Sequence, residues 1–346
     1  QHAEAIFMLA NLLHGVRGRE AEAKPYLQQL IIRQHRVAEC HLLLGLIYQL
    51  CEMDHQAARL AYLAAIEADP GYILPRANLA ALYTKNNLPE DAVRVLQEAL
   101  NIAPQAVELY EELGVALLAL GRHQESAAIF QRGLALAPEH ASLRSIYLFS
   151  LNYSELLTEQ QVFAEHREFG RLCADSLYPV ELRYSNLPDP DKKLRIAYIS
   201  GDFKHHAVVY FIEPILQHHA RQQHEVYCYY TGMKQDQKTA AIRALADHWR
   251  EVCKLSDEEL AQLIRRDGID VLIDLSGHTI DHRLLALARK PAPVQITWLG
   301  YGLTTGMQAM DYVLLDRYYA PEHTAEKVYV EKPVYLPVYR TFRPES

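Results

Sequence analysis

The chain has 346 residues, half of them apolar, and a formal net charge of −8 at pH 7. The length predicts about two or three domains, and the negative charge argues against the basic face that nucleic-acid binding needs. The five cysteines form no CxxC pair, which favours a reducing, cytoplasmic compartment over a secreted protein. The chain has no apolar run long enough for a membrane span and no signal-peptide pattern at its N-terminus, so no membrane association is predicted.

A step of 34 residues recurs in the first part of the chain. Pro70, Pro104 and Pro138 follow this step, and the Leu-Ala pair at 79–80 matches the Leu-Gly pair at 113–114. Small residues at fixed positions let paired helices approach closely, and proline ends a helix because it lacks an N–H. A helical pair with this period resembles the tetratricopeptide repeat. We therefore predict a tetratricopeptide-repeat superhelix over residues 1–140, rather than an ordinary helical bundle.

Repeat arrays of this kind usually bind extended peptides in their concave groove. Asn78 stands just before the Leu-Ala pair, where it would bind the backbone of such a peptide. The equivalent residue in the next repeat is Glu112, so no asparagine ladder continues, and a solvated polar residue remains the alternative for Asn78. Residues 141–193 keep a helical pattern outside the 34-residue register and then form a linker rich in charge and in prolines, namely Pro179, Pro188 and Pro190.

From residue 194 onward, apolar strands alternate with helices. The strand runs are LRIAYIS, HEVYCYY, VCKL, DVLIDL, VQITWLG and DYVLLD. Helical patterns precede or separate them near residues 207–219, 238–249, 257–266 and 281–289. Continuous apolar strands that alternate with helices predict a parallel sheet covered on both faces. The sequence therefore predicts one Rossmann-like, doubly wound lobe over residues 194–346.

Polar residues and glycines follow three of these strands directly. The loops are GDFKHH (201–206) after the first strand, SGHT (276–279) after the fourth and GYGLTTG (300–306) after the fifth. Ligands of doubly wound sheets bind at the carboxyl ends of the strands, so we expect the three loops to share a site. Histidine in such a loop suits general-base chemistry or hydrogen bonding to a sugar or phosphate. The alternative is a structural, hydrogen-bonded histidine.

Several common chemistries are not indicated. No GxGxxG motif follows the first strand and no P-loop is present, which argues against dinucleotide binding. No GxSxG elbow is present either, so a hydrolase triad is disfavoured. His205 and His206 are adjacent, so one of them should point away from the other, and we predict no metal site.

Three segments together resemble the O-linked N-acetylglucosamine transferases of glycosyltransferase family 41. They are RIAYISGDFKHHAVVYFIEPIL, DGIDVLIDLSGHT and RKPAPVQITWLGYGLTTGMQAMDY, and the likeness is most specific over residues 194–316. The resemblance implies tetratricopeptide repeats ahead of a two-lobed GT-B region, of which this chain holds the first lobe. It also implies inverting transfer of N-acetylglucosamine from UDP-GlcNAc to serine or threonine of an acceptor protein or peptide. No cofactor or metal is expected.

The resemblance also assigns roles to residues. His206 matches the histidine after the S-x-D-F motif, and His278 matches the histidine of a bacterial GHT motif, so both are predicted to be catalytic. Leu299, Gly300 and Tyr301 match the loop that approaches the sugar, whereas His205 falls on a position that the family does not fix. From the place of these loops at the strand ends, contacts to the donor or substrate are predicted for Asp202, His205, Leu299, Gly300, Tyr301, Gly302, Thr304 and Thr305. Ala207 and Gly302 stand where the family usually has proline, which fixes φ. These two departures favour an alternative, a peptide-binding repeat scaffold with a degenerate glycosyltransferase lobe.

A third reading, a small-molecule Rossmann enzyme fused to repeats, lacks any nucleotide fingerprint. In the family, most donor-binding groups belong to the second lobe, which this sequence does not contain. We therefore expect the missing C-terminal lobe to be a partner of this chain. Residues 1–346 alone should bind UDP-GlcNAc weakly and transfer no measurable sugar.

Overall fold

The computed structural model of the protein describes residues 2–16, 19–153, 157–186, 189 and 191–338. The chain forms two compact units, Gln1–Ala137 and Pro138–Ser346. The helices after residue 140, which the sequence assigns to a linking region, belong to the second unit. Pro188 and Pro190 of the predicted linker lie outside the described residues. None of the helices in the described ranges has the length and apolar character that crossing a membrane requires.

The first unit consists of eight α-helices in its described residues. They are α1 (His2–Gly15), α2 (Lys24–Ile32), α3 (Val37–Leu50), α4 (His55–Ala68), α5 (Ile73–Lys85), α6 (Pro89–Ile102), α7 (Val107–Ala119) and α8 (His123–Leu136). Consecutive helices pack in pairs, α3 on α4, α5 on α6 and α7 on α8. This arrangement confirms the helical pairs that the 34-residue step predicts.

Two glycines explain why small residues recur within the pairs. A Cβ atom at Gly45 would lie 2.4 Å from the ring of Tyr62, and one at Gly114 would lie 2.1 Å from the ring of Phe130. Both rings are fully buried. A larger residue at either position would therefore force the paired helices apart.

The three regularly spaced prolines share a second feature. The carbonyl oxygen of each accepts a hydrogen bond from the side chain six residues later. The pairs are Arg76 to Pro70 at 2.7 Å, Tyr110 to Pro104 at 2.8 Å and Arg144 to Pro138 at 3.0 Å. Each proline thus marks a turn whose free carbonyl is satisfied by the next helix.

The second unit contains a seven-stranded parallel sheet with helices on it. Its described helices are α9 (Ala141–Leu151), α10 (Glu159–Phe169), α11 (Ala207–His218), α12 (Gln237–Leu245), α13 (Asp257–Asp267), α14 (Leu284–Ala288) and α15 (Glu322–Val328). The strands are β1 (Leu194–Ser200), β2 (His224–Tyr230), β3 (His248–Glu251), β4 (Val271–Asp274), β5 (Val294–Thr297), β6 (Tyr312–Leu315) and β7 (Lys332–Tyr335). Their order is β3-β2-β1-β4-β5-β6-β7, which confirms the predicted doubly wound lobe.

The structure corrects the sequence prediction at four elements. VCKL predicts a strand over 252–255, but the third strand is His248–Glu251. This strand lies at the edge of the sheet, where polar residues are tolerated, and only Trp249 of its HWRE sequence is apolar. α14 begins at Leu284, later than predicted, because the ring of His282 accepts the backbone N–H of Leu284. α15 and β7 were not predicted.

Replacing Gly114 with alanine tests the close packing of α7 on α8. We expect the Gly114→Ala substitution to lower the free energy of unfolding of the first unit by about 1–3 kcal/mol, because the new methyl group overlaps Phe130. Gly15→Ala is the control, since a Cβ there meets nothing within 4 Å. Urea unfolding followed by far-UV circular dichroism measures both, and equal effects of the two substitutions would contradict the packing argument.

Candidate active site

The three loops predicted to share a site follow neighbouring strands. Ile199 of β1 pairs with Asp274 of β4, and Asp274 pairs with Thr297 of β5, all in parallel register. The loops after β1, β4 and β5 therefore start side by side at the carboxyl edge of the sheet. The edge holds two kinds of residue, some accessible to solvent and others deeply buried.

His206 is a solvent-accessible histidine at this edge. It caps α11, and its Nδ1 atom accepts the backbone N–H of Val208 at 3.3 Å. The same nitrogen lies 3.5 Å from Oδ2 of Asp202, and the His206 side chain is 46% exposed. Phe203, fully buried against Tyr230 and Trp249, anchors the loop that carries both residues.

The two partners of Nδ1 give His206 two chemical states. When Nδ1 accepts the Val208 N–H, a neutral ring carries its proton on Nε2 and donates a hydrogen bond there. When Nδ1 carries the proton and donates it to Asp202, Nε2 has a free lone pair and can act as a base. The capped arrangement in the structure corresponds to the donor state.

His205 serves a different surface from His206. Its backbone N–H donates to Oδ2 of Asp236 at 2.7 Å, and its ring lies edge-on to Tyr210. His205 and Asp236 line an open groove with Gln237, Lys238 and Ala241. The adjacent histidines therefore contribute to separate surfaces, and a donor contact by His205 stays a prediction.

The loop after β4 is fixed by a buried carboxylate. Asp274 accepts the backbone N–H groups of Ser276 at 3.2 Å and Gly277 at 2.8 Å. Burial raises the pKa of Asp274 to about 6, and these hydrogen bonds oppose the rise. Gly277 has φ of +55°, and a Cβ there would lie 2.3 Å from Cβ of Tyr301. Both the backbone conformation and the close approach of Tyr301 therefore require glycine.

His278 is buried with both ring nitrogens occupied. Nε2 lies 3.0 Å from the carbonyl oxygen of Thr305, which can only accept, so Nε2 carries the proton. Nδ1 then accepts from the hydroxyl of Ser145 at 3.0 Å. Burial lowers the pKa of His278 well below its usual value, and the nearby His166 and His282 add to the effect. A catalytic role for His278 stays a prediction, while this geometry supports a positioning role.

Tyr301 is held behind His278 by a second buried histidine. The Nδ1–H of His166 donates to the carbonyl of Val162 at 2.7 Å, so its Nε2 accepts the hydroxyl of Tyr301 at 2.7 Å. Burial lowers the pKa of His166 to about 4, and it raises the pKa of Tyr301. Both groups are therefore neutral near pH 7, and Tyr301 is only 4% exposed.

The loop after β5 is held by hydrogen bonds to the buried carboxylate of Glu331. This residue is not predicted from the sequence. Its carboxylate accepts the hydroxyl of Thr304 at 2.6 Å, the backbone N–H of Thr305 at 2.8 Å, and the Thr305 hydroxyl. Burial raises the pKa of Glu331. Both threonines are buried, as is Leu299, whose φ is +76°. Glu331 lies in an ordinary charged stretch, VEKP, so no signal distinguishes it from a surface residue.

Gly300 and Gly302 are two half-buried residues of the same loop. A Cβ at Gly300 would lie 1.9 Å from the carbonyl of Leu275, so this position admits only glycine. The carbonyl of Gly302 accepts the hydroxyls of Tyr319 at 2.9 Å and Tyr329 at 2.6 Å. These two hydrogen bonds restrain the loop where the family pattern has proline.

Asn78 lies on α5 in the first unit, and its side-chain amide donates to the carbonyl of Leu74 at 2.9 Å. Within the described ranges, no three His, Cys, Asp or Glu side chains are grouped so that they could hold a metal ion.

The buried state of His278 makes stability depend on pH. An unfolded histidine binds a proton below its usual pKa of about 6.5, whereas the buried ring does not, so stability falls as pH decreases through this range. His278→Gln should remove about 1.4 kcal/mol per pH unit from that slope. Urea unfolding between about pH 4.5 and 6 measures it. Asp274 and Glu331 change stability with pH in the opposite direction, but they do so equally in the unsubstituted protein and in His278→Gln. An equal pH dependence of stability in the two proteins would therefore contradict the neutral buried ring of His278.

Comparison with known proteins agrees with this architecture. The model of glycosyl transferase family 41 matches residues 153–342, and a tetratricopeptide-repeat model matches residues 78–141. Among solved structures, a mutant of the Thermobaculum terrenum O-GlcNAc transferase aligns with a TM-score of 0.79 at 35% identity. That alignment covers 89% of this chain and 59% of the other.

Curated relatives include two proteins of Arabidopsis thaliana, both named probable UDP-N-acetylglucosamine–peptide N-acetylglucosaminyltransferase. SPINDLY is 37% identical over 194 residues, which cover 55% of this chain and 21% of that protein. SEC is 34% identical over 147 residues, which cover 42% of this chain and 15% of that protein. The chain thus matches 21% or less of the length of these relatives. Because the family model matches more than half of the residues, the chain belongs to glycosyltransferase family 41.

Proposed function

We propose that the protein containing this chain is a protein O-GlcNAc transferase. It would transfer N-acetylglucosamine from UDP-GlcNAc to a serine or threonine hydroxyl of an acceptor protein, with inversion at the anomeric carbon. Family membership and the names of the relatives support the reaction class. The observation that carries the proposal is the accessible His206, held at the carboxyl edge of the sheet beside Asp202.

The reaction needs a proton acceptor, a stabilised leaving group and an aligned hydroxyl. The acceptor oxygen attacks the anomeric carbon, the bond from that carbon to the UDP oxygen breaks, and the hydroxyl proton leaves for a base. The hydrogen bonds of His206 in the described structure involve Nδ1, so we propose that Nε2 is the atom that meets substrate. In its donor state it would bind a sugar or phosphate oxygen, and in its basic state it would take the hydroxyl proton.

Further groups supply charge and position. Asp202 would stabilise the ring of His206 when it is protonated, because opposite charges at this distance attract. The N-terminus of α11 would add partial positive charge that stabilises a leaving diphosphate bound beside it. We propose that the remaining cationic groups belong to a second lobe, and that no metal ion takes part. The first unit would bind the acceptor polypeptide. The side-chain amide of Asn78 would bind the peptide backbone with the donor and acceptor positions that its hydrogen bond to Leu74 leaves available.

A second candidate function is a peptide-binding scaffold with a degenerate glycosyltransferase lobe. Ala207 and Gly302, at positions where the family usually has proline, favour it. The two tyrosine hydroxyls on the carbonyl of Gly302 argue against a loosened loop. Ala207 is the first residue of α11, where alanine is a good helix former.

Substitution of His206 tests the transferase proposal. In the complete protein that contains this chain, His206→Ala should reduce kcat/KM for transfer from UDP-GlcNAc by about 100-fold or more. Exposed His218 at the end of α11 is the matched control, and His218→Ala should change kcat/KM by less than about twofold. Calorimetry of UDP binding accompanies both assays. UDP affinity retained in His206→Ala marks a chemical role, and affinity lost with turnover marks a ligand contact.

The same assay decides between the two functions. A complete protein that binds peptide but transfers no sugar from UDP-GlcNAc or from other nucleotide sugars would contradict the transferase and support the scaffold.

Metal removal is a separate prediction. Since the charge of the leaving UDP is assigned to hydrogen-bond donors and cationic side chains, excess EDTA should leave kcat unchanged within about twofold. A loss of activity that returns on adding Mg²⁺ or Mn²⁺ would contradict metal independence.

A further inference from the structure

Lys204 lies between two carboxylates at the mouth of the sheet. Its Nζ atom is 3.5 Å from Oδ1 of Asp202 and 3.9 Å from Oδ2 of Asp281. Asp202 belongs to the loop after β1, and Asp281 to the loop after β4. The Lys204 and Asp202 side chains are 25% and 14% exposed, so their charges are only partly screened by solvent.

Asp281 is held in place for this contact. Its φ is +61°, a left-handed conformation that aspartate tolerates better than most residues. Its carbonyl oxygen accepts the hydroxyl of Thr231 at 2.7 Å. Its Cβ atom would be 2.5 Å from a Cβ added to Gly201, so glycine there lets the two loops touch. The backbone thus fixes Asp281 against the start of the loop that carries His206.

Asp202 connects this pair to His206 through its second oxygen. Oδ1 faces Lys204 and Oδ2 faces Nδ1 of His206, both at 3.5 Å. The charge that Asp202 presents to the ring therefore depends on how strongly Lys204 neutralises it. A strongly neutralised Asp202 leaves Nδ1 to the Val208 N–H, whereas a weakly neutralised one draws a proton onto Nδ1.

We propose that Lys204 and Asp281 act with Asp202 as an electrostatic clamp that sets the orientation and proton position of His206. Asp281 attracts Lys204 partly away from Asp202. Lys204 in turn weakens the attraction of Asp202 for a proton on Nδ1 of His206. Lys204 and Asp281 are thus positioning residues, since neither contacts His206 in the described structure. Their effect on transfer rests on the proposed function, but the clamp itself does not.

The other titratable groups near His206 are either engaged in hydrogen bonds or neutral. Asp236, after β2, is bound to the backbone N–H of His205 and caps α12. The phenol of Tyr230 stays neutral, because burial raises its pKa to about 12. Burial also raises the pKa of Asp281, which Lys204 opposes and Asp202 reinforces. Asp202, Lys204 and Asp281 are therefore the groups whose charge can be varied to test the clamp.

Histidine titration by NMR in the 346-residue chain tests the clamp directly. The chain is labelled at histidine Cε1, and His206→Gln identifies the His206 signal. Lys204→Met should raise the midpoint of the His206 titration by about half a pH unit or more, because a neighbouring cation is lost. Asp281→Asn should lower the midpoint, because Lys204 then neutralises Asp202 more fully. Lys204→Arg should leave it near its original value.

The double variant Lys204→Met/Asp281→Asn supplies the decisive comparison. If Asp281 acts through Lys204, Asp281→Asn has little effect in the Lys204→Met background. Equal effects in both backgrounds, or no shift with Lys204→Met, would overturn the clamp. Lys204→Gln replaces Lys204→Met if methionine prevents folding. Lys234→Met, on the exposed loop after β2, is the control and should not move the midpoint.

A parallel assay separates the clamp from the proposed function. In the complete protein, the pH profile of kcat/KM should move in the same direction as the NMR midpoint for each variant. A complete protein without transferase activity would refute the proposed function and leave the NMR result to decide the clamp. Shifted midpoints with an unmoved profile would refute the positioning role in transfer.

Discussion

Two buried carboxylates, Asp274 and Glu331, organise the carboxyl edge of the sheet. In the described structure, their hydrogen-bond partners are backbone N–H groups and threonine hydroxyls. Burying a carboxylate is costly unless its oxygens are well bonded, and burial accordingly raises both pKa values. The arrangement persists because each carboxylate satisfies several loop donors that would otherwise be buried without a partner. Loops held in this way have little freedom to rearrange, and this rigidity fixes the positions of Tyr301 and His278.

The edge therefore has an inner and an outer layer with different electrostatics. The inner layer contains His166, His278 and Tyr301, all neutral near pH 7 because burial disfavours their charged forms. The outer layer contains the partly exposed His206 with its charged neighbours. The inner rings therefore hold the loops in place, while the outer layer contains the side chains that a ligand can reach. A ligand at this edge would therefore meet the exposed His206 and its charged neighbours rather than the buried rings.

The sequence predicts the helical pairs, the parallel sheet and the neighbouring strand ends, because these depend on local apolar patterns. It does not predict how deeply each loop residue is buried. The SGHT sequence does not indicate whether His278 faces solvent. His278 is buried by contacts with Ser145 and His166, which lie more than a hundred positions away in the chain. The burial of Glu331 is not predicted either, because a charged residue in a loop is ordinarily a surface residue. The position of edge strand β3 is not predicted for a related reason, because three of its four residues, His248, Arg250 and Glu251, are polar.

The contacts of α9 and α10 show that residues after 140 do more than connect two folds. Ser145 on α9 donates to His278, and His166 on α10 accepts the hydroxyl of Tyr301. A Cβ atom at Gly306 would lie 1.9 Å from the carbonyl of His166, so the loop after β5 touches the backbone of α10. A lobe that began at β1 would leave the ring of His278 and the hydroxyl of Tyr301 without these partners, at a cost of about 1–3 kcal/mol for each unpaired buried group. The match of the family model from residue 153 agrees with α10 as an integral part of the lobe. The α/β unit thus depends on helices that precede its first strand, because they complete the floor beneath the candidate site.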